Sequence, residues 1–396
     1  MDALRPDEAS FADMLFPFTW TRSVLDIRVG ILTLREKWER LGAAEAGKGP
    51  AGDKGPDGAT MPAFVRGLPG NILPTPELIA ALRQESAEGS AGVRGGRSTR
   101  PEGNLSPDGM ELSADARDRI MQQATVIRHP WHIFELNGLA IRNDFALVAN
   151  GRQSQPIPPS VQVIGNPLHI FIEEGAAISH SILNAATGPI YIGRNAEIME
   201  GSMIRGPFAL CEGSVVKMGA TIYGATTIGP YSIVGGEIKN SVLFGYSNKA
   251  HHGYLGDSVV GEWCNLGAGT SNSNLKNNAG PVKVWDQASG QFAEAGLKCG
   301  LLMGDYSRSA INTSFNTGTV IGICCNIFGE GLMPKYIPSF SWGGGGRVEE
   351  AAGGAGVGAR YEWEKALRDI ANWKKLKNQS LGEDEIQTLK LIFEKS

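Results

Sequence analysis

Residues 192–234 read IGRNAEIMEGSMIRGPFALCEGSVVKMGATIYGATTIGPYSIV, with an aliphatic residue at every sixth position: Ile192, Ile198, Ile204, Leu210, Val216, Ile222, Ile228 and Val234. A helix repeats every 3.6 residues and a half-buried strand every second residue, so this period belongs to neither. A chain that turns one side chain inward every six residues must run a short strand, turn a corner and repeat, which is the pattern of a parallel hexapeptide β-helix. Four positions after each aliphatic residue the side chain is usually small, as at Ala196, Ser202, Ser214, Ala220, Thr226 and Ser232. Small groups suit corners where a bulky one would collide with the next coil.

The register extends both ways. Upstream lie Ile172 and Ile178, with Ala176 in the small slot, before a slip around Thr187, Gly188 and Pro189. Downstream come Val260 and Leu266, then Met303, Ser309, Phe315, Ile321 and Ile327, of which Ser309 is the weak member. The reading is a mainly β chain with a β-helix over 160–345, interrupted by outward loops at roughly 245–255 and 275–298. Ahead of it, 11–40 reads as ordered, whereas 41–60 and 86–110 are too rich in Gly, Ala, Ser, Pro and charge to order themselves. Helices are expected from Thr75, over 117–123 and over 130–149; the last carries Ile133, Leu136, Ile141 and Phe145 on one face and should cap the open end of the solenoid. Glycine-rich 343–358 reads as a hinge, because no Lys-Ser/Thr follows to make a phosphate loop. Two helices over 361–378 and 383–394 close the chain, with Ser380 and Glu383 spaced as a capping box. The domains expected are 1–125, a helical connector 126–159, the β-helix 160–345, a hinge 346–360 and a helical tail 361–396.

With 396 residues, 42% hydrophobic and 20% charged, the chain has room for two globular units. Its 53 glycines are about twice the usual share, partly from coil corners. A net charge of −4 without a basic, aromatic-interleaved block argues against nucleic-acid or anionic-membrane partners. Neither a signal-peptide core nor a run of ~18 apolar residues is present, so a cytoplasmic location is expected. The cysteines at 211, 264, 299, 324 and 325 form no C-x-x-C pair and the histidines no ligand spacing, so the thiols read as packing and no metal is expected.

The chemistry-bearing residues gather in one passage: Lys239, then SNKAHHGYLGD over 247–257, then NLGAGT over 265–270, then Asn274. A histidine in a polar loop on a rigid scaffold is suited to take a proton at neutral pH. In this passage the chain resembles the acetyltransferase half of the bifunctional N-acetylglucosamine-1-phosphate uridylyltransferase/glucosamine-1-phosphate acetyltransferase family. That family's pattern is a lysine, a loop ending S-K-x-x-H-L-x-Y-x-G-D, N-x-G-A-G-T and an asparagine four positions on. Lys239, His251, Tyr254, Gly256, Asp257, Asn265, Gly267, Ala268, Gly269, Thr270 and Asn274 match it without a gap. The stretches Leu15-Phe-Pro-Phe-Thr-Trp-Thr-Arg22 and Asp26-Ile-Arg-Val-Gly-Ile-Leu-Thr-Leu-Arg-Glu-Lys-Trp38 resemble the variant of Bacteroidetes-type bacteria, and this likeness covers most of 11–40 and 126–396.

The resemblance implies a left-handed coil, against the usual right-handed crossover, with a short, degenerate α/β nucleotidyltransferase-like N-terminal region and C-terminal helices. It implies transfer from acetyl-CoA to an amino-sugar phosphate such as glucosamine-1-phosphate, or to a nucleotide sugar, in the supply of the cell envelope, by a homotrimer with sites between subunits. Carried over by position, His251 is the general base, the Ala268 backbone N–H serves the oxyanion, Lys239, Tyr254 and Asn265 hold the sugar phosphate, and Asn274 meets the acceptor or the acyl-CoA. Counting from Tyr254 and Lys239 selects His251, whereas counting from Lys249 selects His252 as the alternate. Thr221 stands where the family has a phosphate-binding arginine, and Arg205 on another coil is the candidate substitute.

Nucleotidyl transfer is expected to be absent or crippled. Such enzymes hold a triphosphate on a Gly-rich turn followed by Arg and Lys, in a domain of ~200 residues, and no G-x-G-T-R exists here. Arg22, Arg28 and Lys37, with Arg35, are the remaining candidates for phosphate, and Mg2+ is implied only if that activity survives. Three functions therefore stay open: the acetyltransferase, a sugar-1-phosphate nucleotidyltransferase using UTP or dTTP with the β-helix as oligomerisation scaffold, and a non-catalytic hexapeptide scaffold.

Overall fold

The computed structural model describes residues 12–45, 68–93, 114–344 and 359–396. They form two compact units: one of residues up to Ser23, Ile27–Ile31 and Arg128–Ser396, the other of Val24–Asp26 and Leu32–Ile127.

The first unit is built on a parallel β-solenoid with three flanks. One flank is a nine-stranded sheet running from Ile170–Ile172 to Tyr336–Ile337 (sheet I). The second begins at Ala177–Ile178 and includes Asn248–Lys249, Asn265–Leu266 and Arg308–Ser309 (sheet II). The third holds six strands from Gln162–Ile164 to Tyr254–Gly256 and is continued by the pair Ser271–Asn272 and Ser314–Phe315 (sheet III). Ile192, Leu210 and Ile228 are successive register partners, as are Ile198, Val216 and Val234. Partners 18 residues apart make each coil three hexads long, so the six-residue period stacks like side chain on like side chain. All eight aliphatic residues of the opening stretch are buried in a single core with Leu243, Leu255, Val260 and Leu266.

The coil changes length after Val234. Only Gly235 and Gly236 separate Ile233–Val234 from Glu237–Lys239, whereas four residues separate Val215–Val216 from Thr221–Tyr223. Ile238 therefore pairs with Ile222, Leu243 with Ile228 and Lys249 with Val234. The outward loop expected at 245–255 is not there: Asn248–Lys249 and Tyr254–Gly256 are regular strands of sheets II and III. A shortened corner shifted the phase, and a lysine in the inward slot hid its return. The excursion at 275–298 does leave the coil, as an antiparallel hairpin of Lys283–Asp286 with Gln291–Glu294.

Two further segments lie on the solenoid's flanks. Helices His132–Glu135 and Asn137–Ala149 replace the single helix expected at 130–149. The second lies against the side of sheet I and not over the open end: Asn137 Nδ2 donates to the Ala225 carbonyl at 2.8 Å, and its Oδ1 accepts from the Gly30 N–H at 2.7 Å and the Thr227 hydroxyl at 3.0 Å. The helices Trp363–Lys375 and Glu383–Lys395 fold back onto Trp263, Tyr306, Ile323, Cys324 and Phe340 through Tyr361, Ala366, Ile370, Leu389 and Ile392. The last helix is not capped by Ser380. Gly382 is its N-cap, in extended conformation, and Glu385 reaches back to the Gly382 N–H at 2.9 Å. Of the expected hinge, 345–358 lies outside the described residues, while Ala359–Arg360 pairs antiparallel with Ser341–Trp342.

The second unit packs helices Leu34–Glu45, Pro76–Val93 and Ala114–Gln123 around Trp38, Ile72, Leu78, Ile79, Leu82 and Ile120, with Ile72–Leu73 pairing antiparallel to Thr125–Val126. Two of its helices run on into stretches read as too polar to order, through Glu45 and Val93. The rest of the low-complexity sequence, 46–67 and 94–113, lies outside the described residues.

Candidate active site

Outward positions on sheet III alternate with the buried ones, as a half-buried strand requires. Tyr223, Lys239 and Gly256 form one column of register partners, and Thr221, Glu237 and Tyr254 the next. Lys239 Nζ stands 6.0 Å from the centre of the Tyr223 ring, and the Tyr223 hydroxyl donates to Glu237 at 2.6 Å. Arg205 lies one strand before Tyr223, directly after Ile204, which pairs with Ile222. Two strand spacings, about 10 Å, therefore separate Arg205 from Lys239.

Tyr254 is fixed by a short polar chain. Asn274 Nδ2 donates to the Tyr254 hydroxyl at 3.0 Å and also to the Asp257 carboxylate, whose other oxygen accepts from Asn240 Nδ2 at 2.7 Å. Burial first and the Asp257 charge second push the Tyr254 phenol well above its usual range. At neutral pH it is a hydroxyl that gives or takes a hydrogen bond, not a base.

Residues 250–253 turn the chain from sheet II to sheet III, and His251 and His252 stand exposed on this corner. The next coil turns directly beneath them at 267–270. The Gly269 N–H donates to the His252 carbonyl at 3.0 Å, and Ser271 Oγ accepts from the Tyr254 N–H at 3.1 Å. Gly253 has a φ of +127°, and a Cβ there would lie 2.1 Å from the Thr270 carbonyl oxygen, so only glycine permits this approach. In the lower turn the Ala268 carbonyl accepts from the Asn312 N–H at 2.7 Å, while the Ala268 N–H has no hydrogen-bond partner among the described residues. A stacked pair of turns thus sets the backbone of the two-histidine corner against the turn that carries this donor.

The structure therefore gathers Lys239, Tyr254, Asn274, His251, His252 and Ala268 along sheet III and its corner with sheet II. Asn265 is on the other side of that corner: it faces out from sheet II, between Asn248 and Arg308 in register. Asn240, which donates to Asp257, and Lys249, buried under the histidine corner, were given no role of their own from the sequence. Lys249 stands six residues after Leu243 and six before Leu255, and that spacing was the available signal.

The basic residues assigned to phosphate have other occupations. Arg22 packs against sheet I with its side chain 10% exposed; its guanidinium pairs with Asp305, lies 3.5 Å from Glu262 and stacks 5.1 Å from the Phe244 ring. Arg28 is buried and donates to the Ile31 carbonyl. Lys37 is 1% exposed in the second unit. All five cysteines are buried and none forms a disulfide, and burial pushes the thiols of Cys264, Cys299, Cys324 and Cys325 above their usual range.

Comparison with known proteins bears on both halves of the chain. Residues 7–153 match the family described as Sugar nucleotidyl transferase. A bifunctional protein GlmU of Methanocaldococcus jannaschii is 33% identical over 134 residues, covering 34% of this chain and 30% of that protein. One from Methanococcus maripaludis is 32% identical over 196 residues, covering 50% and 41%. A bifunctional sugar-1-phosphate nucleotidylyltransferase/acetyltransferase of Sulfurisphaera tokodaii is 30% identical over 214 residues, covering 53% and 46%. The chain is similar to GlmU-type bifunctional proteins at moderate identity. It spans less than half the length of each of these three relatives. The nucleotidyltransferase match reaches Gln153, beyond the boundary at 125 drawn from sequence. Among the described residues, no helix is long and apolar enough to cross a membrane.

Proposed function

We propose that this chain is an acetyl-CoA-dependent acetyltransferase of amino-sugar nucleotide metabolism, acting on an amino-sugar phosphate of the glucosamine-1-phosphate kind or on its nucleotide-linked form. The observation that carries the reading is the stacked corner, where the Gly269 N–H to His252 carbonyl bond ties the histidine turn to the turn bearing the unpartnered Ala268 N–H. Similarity to bifunctional nucleotidyl- and acetyltransferases supports it.

In this reading the acceptor amine attacks the thioester carbonyl carbon as His251 takes its proton. The Ala268 N–H donates to the oxygen that becomes negative, an interaction worth most where charge develops. Collapse of the adduct breaks the C–S bond, and the imidazolium returns its proton to the leaving thiolate, which releases free CoA thiol. Lys239, Tyr254 and Arg205 offer a cation, a neutral hydroxyl and a second cation along one outward face for the sugar and its phosphate. Asn274 holds Tyr254 in place, and Asn265 completes the site from the next flank. The reading includes a homotrimer with its sites between subunits and cytoplasmic residence. The front segments 15–22 and 26–38 support placing the chain with the Bacteroidetes-type variant of its relatives.

A second reading is favoured by the match over 7–153: a sugar-1-phosphate nucleotidyltransferase with Mg2+, in which the solenoid serves assembly. A ligand that binds the folded chain alone raises its melting temperature. A thermal-shift series with acetyl-CoA, glucosamine-1-phosphate, UTP and dTTP therefore separates the two: acetyl-CoA should stabilise and the nucleotides with Mg2+ should not. Stabilisation by UTP or dTTP alone, with pyrophosphate release from a hexose-1-phosphate, would reverse the order.

A further inference from the structure

Among the described residues, Lys249 is the charged one in the solenoid's sixth-position core slots. Lys249 occupies the inward slot of its strand, in register with Val234, while the Asn248 to Asn265 pairing puts Leu266 in the same slot one coil on. Leu243 and Leu255 flank it along the chain, and all four neighbours belong to the aliphatic core. The lysine is 1% exposed. Its ammonium donates to two backbone carbonyls, Gly235 at 3.2 Å and His251 at 2.5 Å. Gly235 lies at the corner of the preceding coil; His251 is the candidate general base.

An ammonium enclosed by aliphatic side chains is costly, and a hydrophobic residue of similar volume would fill the slot at lower cost. Every other member of this slot series from Ile192 to Leu266 is aliphatic. What lysine adds is the hydrogen bond a methionine or leucine lacks, and it is spent on the corner that carries the histidine. Burial lowers its pKa to about 8, so at neutral pH the group keeps its charge and the donors that charge supplies.

We infer that Lys249 is a positioning residue for the transfer reaction: its buried ammonium grips the His251 carbonyl from inside the solenoid and so sets the direction in which that imidazole leaves the corner. The inference rests on the acetyltransferase reading. The Gly269 N–H holds the adjacent His252 carbonyl from the next coil, so the two histidine peptides are held at successive carbonyls, one from the interior and one from the neighbouring turn.

The test compares the full-length wild type, Lys249→Met, Lys249→Gln, His251→Ala and the Lys249→Met/His251→Ala double variant, by CoA-thiol release and by amide hydrogen exchange across 247–256. Lys249→Met should fold with undiminished melting temperature while the amides of 251–253 exchange at least about tenfold faster, since local opening is governed by local contacts. Its kcat should fall about 10- to 100-fold, the range a misplaced catalytic group costs, with KM for acetyl-CoA unchanged. In the His251→Ala background the same change should cost less than about twofold, because residues acting as a unit are not additive. Lys249→Gln, which keeps a neutral donor, should fall between wild type and Lys249→Met and stands in for it if the methionine variant does not fold. Unchanged exchange and unchanged kcat in Lys249→Met would overturn the inference while leaving the acetyltransferase reading intact. A full additional loss in the double variant would also overturn it, since Lys249 would then act elsewhere. A wild type that folds and transfers no acetyl group would instead overturn the acetyltransferase reading, and with it a catalytic role for Lys249.

Discussion

Replacing Lys249 by methionine should stabilise the protein at neutral pH, by an amount that shrinks as the pH rises. Burial takes the lysine pKa from 10.5 to about 8. Between these values the unfolded chain binds a proton that the folded chain has released, so the free energy of unfolding rises with pH through that window. Below pH 8 both states are protonated and the folded protein carries the whole cost of the buried charge. At about 1.4 kcal/mol per pKa unit, the shift corresponds to about 3 kcal/mol. Methionine fills the slot without the charge and lacks this dependence. Urea unfolding of both proteins at pH 7, 8, 9 and 10 measures the difference, and other titrating groups cancel in it, including Lys377, whose pKa is also lowered to about 8. Lys249→Met should be more stable by about 2–3 kcal/mol at pH 7, with the advantage falling towards zero near pH 10. A difference that stays flat across the series, or a methionine variant less stable at pH 7, would refute the reasoning.

Three further outcomes follow from the geometry. Arg22→Ala should destabilise by about 3–5 kcal/mol in urea unfolding, because it strands buried Asp305 without its cation; it should leave UTP binding, if any is found by calorimetry, unchanged. Gly253→Ala should cost about 2 kcal/mol or more, since a Cβ meets the Thr270 carbonyl and the φ of +127° disfavours any side chain; a melting temperature equal to wild type would contradict the stacked-turn geometry. Arg205→Ala and Lys239→Ala should each raise KM for the sugar phosphate about tenfold through loss of one charged contact, with KM for acetyl-CoA unmoved; equal effects on both substrates in steady-state kinetics would place these residues elsewhere in the mechanism.

What could be read from sequence depended on coil length. Where a coil is three full hexads, as at Ile192, Leu210 and Ile228, each aliphatic residue lands on its predecessor and the period is plain. The corner at Gly235 and Gly236 is two residues shorter, so the count fails there although the fold continues, and 245–255 was misread as an outward loop. Lys249 compounded the error, since a lysine in an inward slot does not look like core. His251 and Ala268 were picked out by the likeness of 247–257 and 265–270 to a family motif and not by the coil count, which had failed there. Long-range pairing was not legible: nothing near Arg22 signals Asp305, which lies 283 positions away in the chain. The capping box at Ser380 and Glu383 has the correct spacing, yet the chain is extended at Gly382, and Glu385 closes the helix start instead.

The most direct test of the central claim is CoA-thiol release with acetyl-CoA and either glucosamine-1-phosphate or its nucleotide-linked form, compared across wild type, His251→Ala and His252→Ala. A general base contributes about 10²- to 10⁴-fold, so His251→Ala should lose that much in kcat while acetyl-CoA still binds, and His252→Ala should lose less than about tenfold. Loss in His252→Ala with His251→Ala spared would move the base by one residue. Full thiol release in both variants would remove the 250–253 corner from the chemistry and contradict the account.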